Sequence, residues 1–200
     1  MNRFFIFAFF TLCITACNEN ENDNRASPVA AKYSPAINGA IDSGLLNYYF
    51  LSETLVQWDS TKVDSAATIL GESLNQLSQN LDTVTGDTRR TLLEGNVFFN
   101  QAANAVQKML ADGDLTAKRH SFHLVSENLF AFLDAIEYDH KPVYLQECTM
   151  PFNDTGRGVW ISKTEEKRNP YLGLHHPYYK AGMLECGTLE KRIGVNSKDN

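Results

Sequence analysis

The stretch Phe122-His123-Leu124-Val125-Ser126-Glu127-Asn128-Leu129-Phe130-Ala131-Phe132-Leu133-Asp134-Ala135-Ile136 decides the fold. Phe122, Val125, Leu129, Phe132, Leu133 and Ile136 recur at the spacing that lays them along one stripe of an α-helix. Asp112-Gly113-Asp114 places a turn ahead of it. Reading backwards, Leu92, Leu93, Val97, Ala103, Val106 and Leu110 form a second periodic run, which Gly86-Asp87 can open and cap. A third run carries Val63, Ala66, Ala67, Leu70, Leu74 and Leu77, with Asp59-Ser60 able to cap it. A fourth carries Ile41, Leu45, Tyr48, Tyr49, Ser52 and Leu55. Four amphipathic helices joined by short links favour antiparallel neighbours in a bundle. Gly71 and Gly95 each weaken their helix by about 1 kcal/mol relative to Ala and permit close helix contact.

The pattern changes after Asp139-His140-Lys141-Pro142. Val143-Tyr144-Leu145 and Val159-Trp160-Ile161 read as short strands, and Met183 to Ile193 can supply a last one. Glycines and prolines punctuate the region with turns. The expected fold is therefore mainly α, a four-helix bundle with a small C-terminal β-rich segment. One domain is expected over 38–195, with the bundle at 38–141 and the β-rich segment at 142–195; 196–200 is a tail.

The N-terminus gives an address. Arg3 precedes an apolar run from Phe4 to Ile14, too short for a permanent membrane span, and Ile14-Thr15-Ala16-Cys17 ends it. Its end resembles the lipobox of bacterial lipoproteins. That resemblance implies a signal peptide at 1–16, cleavage before Cys17, and lipidation of Cys17. The protein is then expected in the bacterial cell envelope, lipid-anchored at the outer membrane and facing the periplasm or the surface. Residues 17–37, opening with Asn18-Glu19-Asn20-Glu21-Asn22-Asp23-Asn24, read as a flexible tether. The chain has 18 basic and 24 acidic residues, a net charge of −6, and no basic stripe. That balance excludes a nucleic-acid partner. It gains nothing from anionic lipid surfaces, so the N-terminal lipid supplies the membrane contact.

Cys13 leaves with the signal and Cys17 takes lipid, so Cys148 and Cys186 remain. In an oxidising compartment the first reading is a Cys148–Cys186 disulfide. Closing a loop of that size stabilises by roughly 3 to 4 kcal/mol in the chain-entropy model. The second reading is a metal site. Cys148-Thr149-Met150 and Met183-Leu184-Glu185-Cys186 each pair a cysteine with a methionine, and His175-His176 lies between them. Residues i and i+2 of a strand share a face, so Cys148 and Met150 can point together. Two thiolates and two thioethers would select Cu(I); an imidazole from His175 or His176 would extend the choice to Cu(II) or Zn(II).

Other candidates are plainer. His120 and His123, at i and i+3, fall off the apolar stripe and read as a solvated pair. Trp160, Tyr171, Tyr178 and Tyr179 read as packing for the β-rich segment, with a ligand-stacking platform as the sharper alternative. No phosphate loop, H-E-x-x-H, G-x-S-x-G or haem-attachment pattern occurs, so a non-catalytic protein is expected.

The run Val143-Tyr144-Leu145-Gln146-Glu147-Cys148-Thr149-Met150, followed by Gly158-Val159-Trp160-Ile161-Ser162, Arg168-Asn169-Pro170-Tyr171 and Met183-Leu184-Glu185-Cys186-Gly187, resembles an exported bacterial family with an uncharacterised C-terminal domain. That family carries Cys-Pro-Met-Ala, Trp-Leu-Ser, Asn-Pro-Tyr and Met-x-x-Cys-Gly elements. Its domain also occurs attached to adaptors of copper/silver-type heavy-metal efflux pumps. The resemblance implies heavy-metal efflux components as partners and copper or another soft metal as ligand. This chain departs from the pattern at Thr149 and Pro151, and Leu174-His175-His176-Pro177-Tyr178-Tyr179-Lys180 lengthens the segment before Met183.

Overall fold

A computed structural model describes residues 32–152 and 156–195. The signal peptide, Cys17, most of the tether and the 196–200 tail lie outside the described residues. Four helices come first: α1 (Pro35–Val56), α2 (Ser60–Asp82), α3 (Gly86–Ala111) and α4 (Leu115–Ala135). Three strands follow, β1 (Val143–Cys148), β2 (Gly158–Ser162) and β3 (Thr188–Ile193), with a 3₁₀ turn at Ala181–Met183. The expected architecture, a helical bundle with a small β segment, is the one observed.

Local chemistry sets the helix ends. Ser34 accepts from the Ile37 N–H at 3.3 Å, and Pro35 occupies the first helical position, where a missing N–H is harmless. Asp59 and Asp114 cap α2 and α4 by accepting from Thr61 and Ala117. Gly86-Asp87 does not cap α3; both lie inside its first turn, and Thr85 in the N-cap position makes no side-chain bond. Tyr33 is 2% exposed, its hydroxyl donates to the Ile136 carbonyl, and its own carbonyl accepts from Asn38 at 3.0 Å. The end of the expected 17–37 tether is therefore part of the domain, because an aromatic ring packs into the bundle ahead of α1. Among the described residues no helix is long and apolar enough to cross a membrane.

Consecutive helices pack as neighbours, and β2 lies against α4 and touches α1. Val63, Leu70, Leu74, Phe99, Val106, Phe122, Val125, Phe132 and Leu133 fill the bundle. Gly95 lets α3 and α4 approach: a Cβ there would lie 2.7 Å from Ile136 Cγ2 and 2.9 Å from Phe132 Cδ2.

The sheet is antiparallel in the order β2-β1-β3. β2 is an edge, yet its outward groups are met by side chains. The Tyr48 hydroxyl accepts from Ile161 N–H at 2.9 Å, His123 Nδ1 accepts from Val159 N–H at 3.2 Å, and the Tyr171 hydroxyl donates to Val159 carbonyl. An unpaired edge would otherwise be a template for another strand. Tyr48 is fully buried and stacks on Phe122 with centroids 5.3 Å apart. Ser126 Oγ sits 2.6 Å from the Tyr48 hydroxyl and donates to Phe122 carbonyl at 2.8 Å. Ser126 has only one hydroxyl proton, so Tyr48 donates to Ser126 while accepting from Ile161. That single oxygen joins α1, α4 and β2. The last strand is shorter than the expected 183–193 span, because residues 181–187 turn before pairing starts at Thr188.

Two measurements check this packing. Tyr48→Phe should lose about 1–3 kcal/mol in denaturant unfolding, since it strands the Ile161 N–H in the core and takes from Ser126 Oγ the proton it accepts; Tyr178→Phe, at an 87% exposed position, should change nothing. Ala at Gly39, where a Cβ meets nothing within 4 Å, should raise stability by about 0.5–1 kcal/mol. Ala at Gly95 should lower the melting temperature, because overpacking of about 1–3 kcal/mol outweighs the gain in helix propensity.

Candidate functional site: a thiol pair and an aromatic cleft

Cys148 closes β1 and Cys186 lies two residues before β3. Their Sγ atoms are 3.5 Å apart. Cys148 is 1% exposed and Cys186 is half-buried. The sheet register accounts for the meeting: Glu147 pairs with Thr188, which sets the preceding turn against the end of β1. Gly187 has φ +150°, and a Cβ on it would lie 2.5 Å from the Trp160 ring and 2.9 Å from the Glu147 carbonyl. Only glycine lets the backbone cross Trp160 this closely.

Asn169 braces the turn. It is fully buried; its amide donates to the Cys186 carbonyl at 2.8 Å, and its own N–H donates to Leu184 carbonyl at 2.8 Å. Its Oδ1 accepts from Tyr171 and Leu172 N–H at 2.8 and 3.0 Å. The Asn-Pro-Tyr element is thus the strut that holds the second cysteine. The Cys186 N–H donates to Met183 carbonyl at 3.1 Å, closing a single turn that carries both residues.

The other sulfur and imidazole candidates lie on the segments around this pair. Met150 lies beyond the end of β1, so the same-face argument that joined it to Cys148 does not apply; it is 37% exposed and lines a cleft. Met183 packs half-buried against the core. His175 is exposed, and His176 lines the same cleft as Met150. Among the described residues, no three or more His, Cys, Asp or Glu side chains come together to hold a metal ion. The two thiols are the soft donors whose contact the structure shows. Burial and the adjacent Cys148 push the Cys186 thiol up to about 11, so it is held protonated at neutral pH, and loss of that proton to solvent precedes reaction with an oxidant or binding of a cation.

His120 and His123 do not chelate. His120 stacks on Phe152 at 3.7 Å, and His123 serves the β2 edge through Nδ1. Of the four rings expected to pack the β-rich segment, Trp160 and Tyr171 are buried, whereas Tyr178 and Tyr179 are exposed and line a cleft, because the turn that carries them runs over the surface.

Neither Trp58 nor Arg119 stands in a motif of the sequence. With Phe152, Tyr171, His176 and Tyr178 they line a cleft of about 440 Å³. Trp58 sits just past α1 with φ +56°, a conformation uncommon for a bulky residue. The Arg119 guanidinium lies 3.8 Å from the Trp58 ring centroid. Its Nε donates to Pro170 carbonyl at 3.0 Å and its Nη2 to Leu55 carbonyl at 2.9 Å. The only advance signal was one arginine on α4, three positions before Phe122 and so in line with the apolar stripe.

No protein-family model, curated protein or solved structure matches this chain.

Stability should depend on the charge of His123. Burial lowers its pKa, and the neutral ring is the form that accepts from Val159. The unfolded chain then binds a proton more readily than the folded one, so its contribution is full above the ordinary pKa of about 6.5 and is lost as pH falls below that. His176 is shifted the same way, by burial and then Arg119. Denaturant midpoints should fall between pH 7 and pH 5, and His123→Gln should flatten that slope in part.

Proposed function

We propose that this chain is a non-catalytic lipoprotein of the bacterial envelope, anchored through Cys17, whose C-terminal segment is clasped by a Cys148–Cys186 disulfide. The observation that carries the reading is the 3.5 Å separation of the two Sγ atoms at the junction of β1 and β3. A buried thiol touching a half-buried one in an oxidising compartment is a disulfide precursor: both sulfurs lose a proton and an electron to the envelope's thiol-oxidising machinery, and one S–S bond forms. The resulting crosslink closes a 38-residue separation and stabilises by about 4 kcal/mol in the chain-entropy model. The clasped domain would serve as a structural or protein-interaction module.

A second reading rests on the same contact in the reduced state. Two thiols side by side, with Met183 on the turn that carries Cys186, offer a soft-donor set for Cu(I). The likeness of the C-terminal motifs to the exported family supports this reading and, with it, heavy-metal efflux components as partners. Cys148 and Cys186 would be the ligands, with Met183 as the nearest thioether in sequence; Met150, His175 and His176 fit the donor set less well, because they lie away from the turn or face solvent.

Thiol counting on protein taken from the envelope without reductant separates the readings. The disulfide predicts no free thiols and a melting temperature that drops by several degrees on reduction or in Cys148→Ala. Two free thiols, with Cu(I) bound against a competing chelator and lost in Cys148→Ala and Cys186→Ala, would install the metal reading instead. Globomycin-sensitive processing and loss of membrane fractionation in Cys17→Ala test the anchor.

A further inference from the structure

We propose that the Trp58–Arg119 cleft is a binding site for a small aromatic anion, a carboxylate or phosphate ester carrying a flat apolar body. Neither cysteine of the thiol pair lines it. Arg119 is 4% exposed and has no carboxylate partner among the described residues. A buried cation without a counter-charge is unfavourable. Here desolvation lowers its pKa to about 9. Two backbone carbonyls compensate part of that loss, at Nε and Nη2. Among the described residues Nη1 has no hydrogen-bond partner, and it is not among the donors sealed from solvent. It is a fixed, charged donor left over in a cleft.

The cleft supplies the rest of the complement. His176 Nδ1 accepts from Tyr178 and Tyr179 N–H at 3.2 and 3.3 Å, so the neutral ring must carry its proton on Nε2. That makes His176 a second donor. No carboxylate stands among the described lining residues, although the chain as a whole is acidic. Trp58, Phe152 and Tyr178 provide ring faces and edges, with the buried Tyr171 behind Phe152. A volume of about 440 Å³ suits a small organic molecule. Donors without acceptors select an anion, and clustered rings select a flat body. A neutral ligand would leave the Arg119 charge unmatched, and a cation would be repelled.

The test uses the whole mature domain, with phenyl phosphate and benzoate as probes, phenol and benzamide as neutral counterparts, and inorganic phosphate as the bare anion. Binding is read from the two indole N–H signals in ¹H–¹⁵N spectra, the buried Trp160 serving as the internal reference. Saturable shifts at Trp58 are expected with at least one aromatic anion, at least tenfold tighter than with its neutral counterpart and than with inorganic phosphate. The ratio of phenyl phosphate to benzoate assigns the head group. Thr116→Glu places a carboxylate at an exposed lining position without touching Arg119. It should weaken binding tenfold or more with an unchanged melting temperature. His176→Gln, which keeps a donor, should weaken it less. No saturable shift with either anion would overturn the proposal, as would equal affinity for the neutral probes or full binding by Thr116→Glu. Inorganic phosphate binding as tightly as phenyl phosphate would overturn the aromatic part.

Discussion

One oxygen atom holds the two halves of this domain in register. The Tyr48 hydroxyl donates to Ser126 on α4 and accepts from Ile161 on β2, with no water required. In a buried setting, each of these groups would be costly if left alone. The bundle and the sheet therefore cannot slide past one another without exposing several polar groups at once. Everything built on the sheet inherits its position from this contact, including the end of β1 that carries Cys148 and the strand that leads away from Cys186.

The same logic covers the rest of the β2 edge. His123 and Tyr171 satisfy Val159 from either side, so side chains of α4 and of the 169–172 turn replace a fourth strand. Asn169 then extends the scheme one step further, tying that turn to the Leu184–Cys186 backbone through both of its amide groups. A chain of buried hydrogen bonds runs from the bundle core to the cysteine turn. The geometry of the thiols is thus not local; it depends on α1 and α4.

The helices were legible in the sequence because a 3.6-residue period survives over fifteen residues, as in Phe122 to Ile136. The strands were legible as β-branched and aromatic runs between turns, and the meeting of Cys148 with Cys186 followed from placing two such runs side by side. The bundle's first boundary was misplaced because Tyr33 acts through tertiary packing, which leaves no period. Met150 was placed beside Cys148 by a same-face rule that holds only inside a strand, and β1 stops at Cys148. The cleft stayed hidden for a different reason. Trp58 comes from the end of α1, Arg119 from α4 and His176 from a late turn, so no window of sequence contains the site. Their juxtaposition is a property of the folded chain alone.

The placement of β1 between β2 and β3 has a temporal side. Every helix can find its neighbour across a link of a few residues, and β2 finds β1 soon after. β3 alone must wait for the final part of the chain, some forty residues beyond the strand it joins. A polypeptide emerging from its N-terminus can thus assemble its helical half before Thr188 exists. The two sulfurs come within reach only when the last strand docks, so any bond between them records that assembly has finished.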